Sequence, residues 1–262
     1  MKGALHMMEL VAEINCNSFS EGGWVKNPVY VPREMQLEIY VNGQHLANIL
    51  CTPIKLDYLV MGYLFAEGII SDIDDVARMQ VSEKSALADI RLRNSEFTLP
   101  MVPTLASGCG GDGVFVTEGE GVESSLVVAP EEIIGLMKKL EEKMELYRLS
   151  GGVHTSALAD TKNLLVVAED IGRHNTLNKI QGECLLEGIQ TKDRLVLITG
   201  RISSEMLLKA AKMQAPVVVS RHSPTSSAIL LARKMGIALV GEARGNRLTV
   251  FTHPERLGNL RG

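Results

Sequence analysis

From residue 150 onward, short continuous apolar runs alternate with longer stretches whose apolar positions recur every three or four residues. "NLLVVAED", "RLVLITG", "APVVVS" and "IALVG" have the length of strands. The segments between them, "NTLNKIQGECLLEG", "SSEMLLKAAKMQ" and "TSSAILLARKMG", carry helical spacing. Runs of Val, Ile and Leu without polar alternation read as strands buried on both faces. The order therefore predicts a largely parallel sheet with helices packed against it. "RLTVFTH" follows a short turn and is predicted to be a last strand, antiparallel to its neighbour.

The first half has a different rhythm. "MQLEIYV" alternates apolar and polar residues, Asn42–Gly43 is a turn signal and "HLANIL" returns, which predicts a hairpin within residues 30–50. Thr52-Pro53 then opens a helix with Leu56, Leu59, Val60, Tyr63 and Leu64 on one face and a stop at Gly68. Short strands are predicted over 78–102, with "VFVTE" and "SLVVA" as two more. Pro130-Glu131-Glu132 starts a helix with acidic residues at its positive end. Its stripe of Ile133, Met137, Leu140, Met144 and Tyr147 is too short for a coiled coil and predicts packing on a core. Three parts follow: a strand-rich part with one helix over 1–105, a glycine-rich stretch with short strands over 106–129, and an α/β core over 130–262.

At 262 residues the chain can bury a substantial core as one large domain or two small ones. Its 27 basic and 31 acidic side chains leave a net charge of −4. No global basic field exists to hold nucleic acid, so an anionic ligand would need local arginines. No uncharged run has the length of a membrane span, and Glu9 interrupts the N-terminal apolar stretch where a signal peptide would need continuity. A cytoplasmic protein without nucleic-acid or membrane partners is expected. The four cysteines are far apart and form no C-x-x-C pair, which predicts neither a zinc knuckle nor a disulfide framework. Cys51 and Cys184 sit in apolar or helical contexts and read as buried hydrophobes, whereas Cys16 lies in a polar segment without a pattern.

Cys109 differs from the other three. In "LASGCGGDG" it stands among Gly108, Gly110, Gly111 and Gly113, a setting that frees the backbone to bend and carry the thiol with it. The second concentration of chemistry lies after the predicted strands of the core. The loops "EDIGRHN", "TGRISS", "SRHSPTS" and "GEARGNR" carry Arg173, Arg201, Arg221, and Arg244 with Arg247. A single arginine is most often a solvated surface charge; recurrence in four consecutive loops points to a ligand. The first three loops lead into helix N-termini, where free N–H groups and the partial positive charge favour anions, and arginine adds bidentate donors for phosphate. Ser203, Ser204 and Thr225 are available as caps or hydroxyl donors. Neither G-x-G-x-x-G nor a Walker A motif is present. His154, after paired glycines, and His174, beside Arg173, are further candidates for this site, while His222 and His253 read as structural. A Cys109–His154 nucleophile–base pair remains open.

In order and spacing, "SGCGGDG", "GGVHTSAL", "AEDIGRHNTLNK", "TGRISSEMLLKAA", "SRHSPTSSAILLA" and "ARGNRLTVFTHPERL" resemble the formate dehydrogenase accessory sulfurtransferases, the FdhD/NarQ family, as does "CTPIKLDYLVMGYLFAEGII". The resemblance runs from about residue 30 to the C-terminus. It implies a three-layer α/β sandwich resembling the cytidine deaminase fold, with a smaller N-terminal β-rich α+β part, and a homodimer. It implies a sulfur carrier that takes sulfur from a cysteine desulfurase as a persulfide on Cys109. That sulfur passes to the molybdenum or tungsten of a bis(molybdopterin guanine dinucleotide) cofactor, bound as substrate, for use by formate dehydrogenase. The segment Glu242, Ala243, Arg244, Gly245, Asn246 and Arg247 matches the stretch tied to binding this guanine-nucleotide-containing cofactor.

Two positions depart from the family pattern. Asp112 stands where many members carry a second cysteine, which favours a single-cysteine relay and places a negative charge near the thiol. Glu242 stands where an apolar or aromatic residue is expected. Zinc hydrolysis, the chemistry of the deaminases, needs H-x-E and P-C-x-x-C; His154-Thr155-Ser156 and one cysteine supply neither, so no metal site is expected. Two other functions are weighed against sulfur transfer. One is a non-catalytic molybdenum cofactor-binding chaperone, and the other a Cys–His hydrolase.

Overall fold

The computed structural model describes residues 7–96 and 121–258. Cys109 with its glycines, Asp112 and "VFVTE" lie outside the described residues. The first strands form a long two-stranded antiparallel ribbon, β1 (Val11–Ser20) and β2 (Gly23–Pro32). Phe19 and Trp24 face each other across its tip at 5.1 Å between ring centroids. The hairpin anticipated around Asn42–Gly43 follows as β3 (Met35–Val41) and β4 (Gln44–Cys51). Both turn residues have positive φ, as a two-residue hairpin loop of this kind requires. The first helix, α1 (Leu56–Ala66), starts three residues after Pro53, with Lys55 in the left-handed region before it. Strands β5 (Val76–Ser82) and β6 (Leu87–Leu92) complete a four-stranded sheet in the order β4-β3-β6-β5.

The core part opens with α2 (Pro130–Glu142) and α3 (Glu145–Ser150). These correspond to the single helix expected over the Ile133–Tyr147 stripe. The helix breaks at Lys143–Met144, and Met144 precedes the second piece with non-helical dihedrals. The stripe is kept as far as Met144, while Tyr147 turns outward. "SLVVA" forms no strand, although Val128 is buried and its N–H donates to the Arg256 carbonyl.

Strands β7 (His154–Ala159), β8 (Leu164–Asp170), β9 (Leu195–Ile198), β10 (Val217–Ser220), β11 (Ala238–Arg244) and β12 (Arg247–Val250) form a six-stranded sheet in the order β12-β11-β10-β9-β7-β8. β9, β10 and β11 are parallel, and β12 is antiparallel to β11 as expected. β7 runs antiparallel to both β8 and β9, so the sheet is less parallel than the apolar runs suggest. Helices α4 (Arg173–Glu187), α5 (Ser204–Lys212) and α6 (Ser226–Met235) cover one face through Leu177, Ile180, Met206, Leu207, Ala228 and Ala232. α2 covers the other through Ile133, Leu136, Met137 and Leu140. This is a three-layer α/β sandwich.

The N-terminal sheet joins it through helix α1, whose apolar face fills that sheet's core. The opposite side of α1 crosses α4 at backbone contact. A Cβ on Gly62 would lie 1.8 Å from the Asn178 carbonyl oxygen, and one on Gly182 would lie 1.8 Å from that of Tyr58. Only glycine permits this approach. A buried polar network reinforces the junction. Lys179 Nζ lies 2.6 Å from Asp170 Oδ2, with neither side chain exposed, and also donates to the carbonyls of Thr52 and Glu169. Asp170 accepts in turn from the Thr52 and Gly172 N–H groups and from Asn175 Nδ2.

Candidate functional site

β8 is parallel to β9, because each is antiparallel to the β7 between them. The carboxyl ends of β8, β9, β10 and β11 therefore share one edge of the sheet with the amino end of β7. Every arginine loop singled out in the sequence leaves from that edge, as expected for ligand-binding loops of an open α/β sheet. Ser203 caps α5 by accepting from the Met206 N–H, and Thr225 caps α6 by accepting from the Ala228 N–H. Each cap satisfies one of the free N–H groups of its helix, which leaves others to face a ligand.

The edge is continuous. His154 is the first residue of β7, not a loop residue, and a Cβ on Gly200 would come within 3.1 Å of its Nδ1 and 3.5 Å of the Arg173 Cβ. Gly200 thus lets the loop after β9 close on His154 and Arg173 together. Burial, then the Arg173 charge, hold the His154 imidazole below the usual histidine range; Asp170 opposes them, and His222 adds a smaller downward push. His222 is also held low, first by its partial burial and then by Arg244, Arg221 and Arg201. Arg244 folds over the preceding loop, with Nε donating to the Arg221 carbonyl at 2.7 Å and Nη2 lying 2.9 Å from His222 Nδ1. Arg173 Nε is buried without a hydrogen-bond partner among the described residues.

The segment 242–247 divides by role. The Ala243 side chain is buried in the sheet core on the α2 side. Gly245 and Asn246 make the turn from β11 to β12, Gly245 with φ +61, and Asn246 Oδ1 accepts from Lys138 Nζ of α2. Arg244 and Arg247 are exposed. Glu242, also exposed, accepts from the Ser223 and Thr249 hydroxyls, which together with Arg247 and Arg244 hold its carboxyl below the usual range. His174 does not face this edge openly. It is buried between α4 and α5, with Nε2 lying 3.4 Å from Glu205 Oε2.

The structure thus brings His154, Arg173, Arg201, Arg221, Arg244 and His222 to one edge. His222 read as structural in the sequence, although it shares a loop with Arg221. Asp170, Lys179 and Asn175 were also missed, and they fix the Gly172–Arg173 turn from beneath. Of the thiols described, Cys51 and Cys184 are pushed up to about 12, each by burial first, which makes them poor nucleophiles. No group of three His, Cys, Asp or Glu able to hold a metal ion occurs among the described residues, and no helix among them is long and apolar enough to cross a membrane. The chemistry such an edge supports is the binding of a multiply charged anion by arginine forks and helix N-termini.

Comparison with known proteins gives one consistent answer. The family model described as FdhD/NarQ family matches residues 32–258. A sulfur carrier protein FdhD of Bacillus subtilis (strain 168) is 36% identical over 233 residues, covering 86% of this chain and 88% of its own. The protein of the same name from Geobacillus kaustophilus is 35% identical over 247 residues, covering 91% of this chain and 94% of its own. Among solved structures, a candidate formate dehydrogenase accessory protein from Desulfotalea psychrophila superposes with a TM-score of 0.82 at 26% identity, over 95% of this chain and 99% of that one.

Proposed function

Because the chain belongs to the FdhD/NarQ family, we propose that it is a sulfur carrier, and more specifically a sulfurtransferase that serves formate dehydrogenase. Cys109 accepts sulfur from a cysteine desulfurase. Its thiolate attacks the outer sulfur of the desulfurase persulfide, the desulfurase cysteine leaves as a thiolate, and the persulfide resides on Cys109. The substrate that receives the sulfur is the metal of a bis(molybdopterin guanine dinucleotide), held by its pyrophosphates. Completing the transfer cleaves the S–S bond and takes two electrons, supplied by a thiol reductant. The working unit in this reading is a homodimer.

The observation that carries the reading is the single cationic edge. Arg173, Arg201, Arg221 and Arg244 rise from four successive strand ends beside two capped helix N-termini, in a chain whose overall charge is negative. Local positive charge on a negative background suits a polyphosphate ligand. The relatives' name supports the sulfur chemistry, and the glycine setting of Cys109 supports a thiol that visits two partners.

The test is intact-protein mass spectrometry after incubation with a cysteine desulfurase and cysteine, comparing the wild type with Cys109→Ala. A sulfur-mass adduct removable by reductant and absent from the variant is expected. Lack of an adduct on the wild type, together with full support of formate dehydrogenase by Cys109→Ala, would replace the carrier with a cofactor-binding chaperone.

A further inference from the structure

Thr52 belongs to the N-terminal half, in the connection from β4 to α1, yet its polar atoms are spent on the turn that carries Arg173. Its N–H donates to Asp170 Oδ2 at 3.1 Å, its Oγ1 accepts from the Ile171 N–H at 3.1 Å, and its carbonyl accepts from Lys179 Nζ at 3.2 Å. The residue is fully buried. Pro53 follows it and disfavours the helical region for its backbone, so the directions of these groups are restricted before the two halves meet. Two residues earlier, the Leu50 carbonyl accepts from Asn175 Nδ2 at 2.8 Å.

The turn is built to transmit a shift. Gly172 is so enclosed that a Cβ there would lie 2.8 Å from Asn175 Nδ2, and its N–H already donates to Asp170 Oδ1 at 2.8 Å. Arg173 comes next, with Nε buried and unpartnered among the described residues. With no bond at Nε to steer it, its guanidinium takes its aim from the backbone of the turn. We propose that Thr52 is a positioning residue of the cationic edge: it reaches across from the N-terminal half, fixes Ile171 and Gly172, and thereby sets where Arg173 meets a polyphosphate. The inference rests on reading the edge as a polyphosphate site, and it makes anion affinity a property of both halves of the chain.

The test is calorimetric titration with inorganic pyrophosphate of the wild type, Thr52→Val, Thr52→Ser, Arg173→Ala, Tyr58→Phe and the variant combining Thr52→Val with Arg173→Ala. Thr52→Val keeps the shape and the backbone groups but leaves the Ile171 N–H without its acceptor. It is expected to weaken binding about tenfold, on the scale of one hydrogen bond to a charged group. Thr52→Ser restores the hydroxyl and is expected to bind as the wild type does. Without Arg173, Thr52→Val is expected to have no further effect, because Arg173 carries it. Tyr58→Phe removes the Tyr58–Glu187 hydrogen bond of the same α1–α4 junction, about 20 Å along α4 from Arg173, and is expected to leave affinity unchanged. Coupling is reciprocal, so pyrophosphate is expected to slow hydrogen exchange at the Ile171 amide of the wild type more than at that of Ile189, which donates to the Cys184 carbonyl at the other end of α4. That readout needs no variant to fold. Equal losses in Thr52→Val and Tyr58→Phe, or a loss that persists undiminished without Arg173, would reduce Thr52 to a stabiliser of the junction. Unchanged affinity in Thr52→Val overturns its role and leaves the polyphosphate site standing. A wild type that binds no pyrophosphate overturns the site itself.

Discussion

Lys179 and Asp170 form an ion pair from which water is fully excluded. Two charges out of water are costly, and the pair persists because Thr52, Gly172, Asn175 and two carbonyls complete its hydrogen bonds. Removing one partner strands the other. Lys179→Met is expected to lower stability by about 3–5 kcal/mol in a denaturant titration, and Asp170→Asn added to it to restore part of the loss. The motif "EDIGRHN" is legible in the sequence, but not which of its members faces inward. Asp170 points into the junction because Thr52, remote in sequence, covers it, whereas His174 packs on Glu205 of the neighbouring helix α5. Lys179 looks like any polar position on a helix, and only the contact with Thr52, far upstream, identifies it as buried.

At the scale of elements, the crossing of α1 and α4 sets two effects against each other. Helix propensity favours alanine over glycine by about 1 kcal/mol in a helix interior. At Gly62 the added Cβ would meet a carbonyl oxygen at 1.8 Å, and forcing packed elements apart costs about 1–3 kcal/mol or more. Gly62→Ala is therefore expected to be destabilising in thermal unfolding, whereas Gly135→Ala in α2, with nothing within 4 Å, is expected to be stabilising. Periodicity made the existence of α1, α2 and the core elements legible. It did not show where α2 breaks, since Met144 continues the apolar stripe across the break. Nor did it show β7, whose polar opening "HTS" conceals a strand inserted antiparallel between two parallel neighbours.

Over the whole molecule, a net charge of −4 coexists with an edge where arginines and two depressed histidines gather. The folded chain leaves His154 and His222 unprotonated where the unfolded chain would protonate them. Acidification through the ordinary histidine value, about 6.5, therefore draws the equilibrium toward the unfolded state. A bound polyanion reverses the sign locally by favouring the imidazolium forms. Unfolding temperature without ligand is expected to fall from pH 7.5 to pH 5.5, and the stabilisation by pyrophosphate to grow over the same interval, both read by calorimetry. The convergence of the arginine loops was foreseeable, because strands joined by crossover helices run parallel and so place their carboxyl ends on one edge. The approach of the N-terminal sheet to the core through two glycines was not.

The N-terminal ribbon has a consequence for anyone watching this protein. Its single tryptophan, Trp24, is 73% exposed near the ribbon tip, in tilted contact with Phe19, while the cores of both sheets are built without tryptophan. Intrinsic fluorescence therefore starts from a solvent-relaxed, red-shifted emission and is nearly blind to the melting of the sandwich. The same blindness makes it selective: a blue shift reports whatever comes to rest on the ribbon.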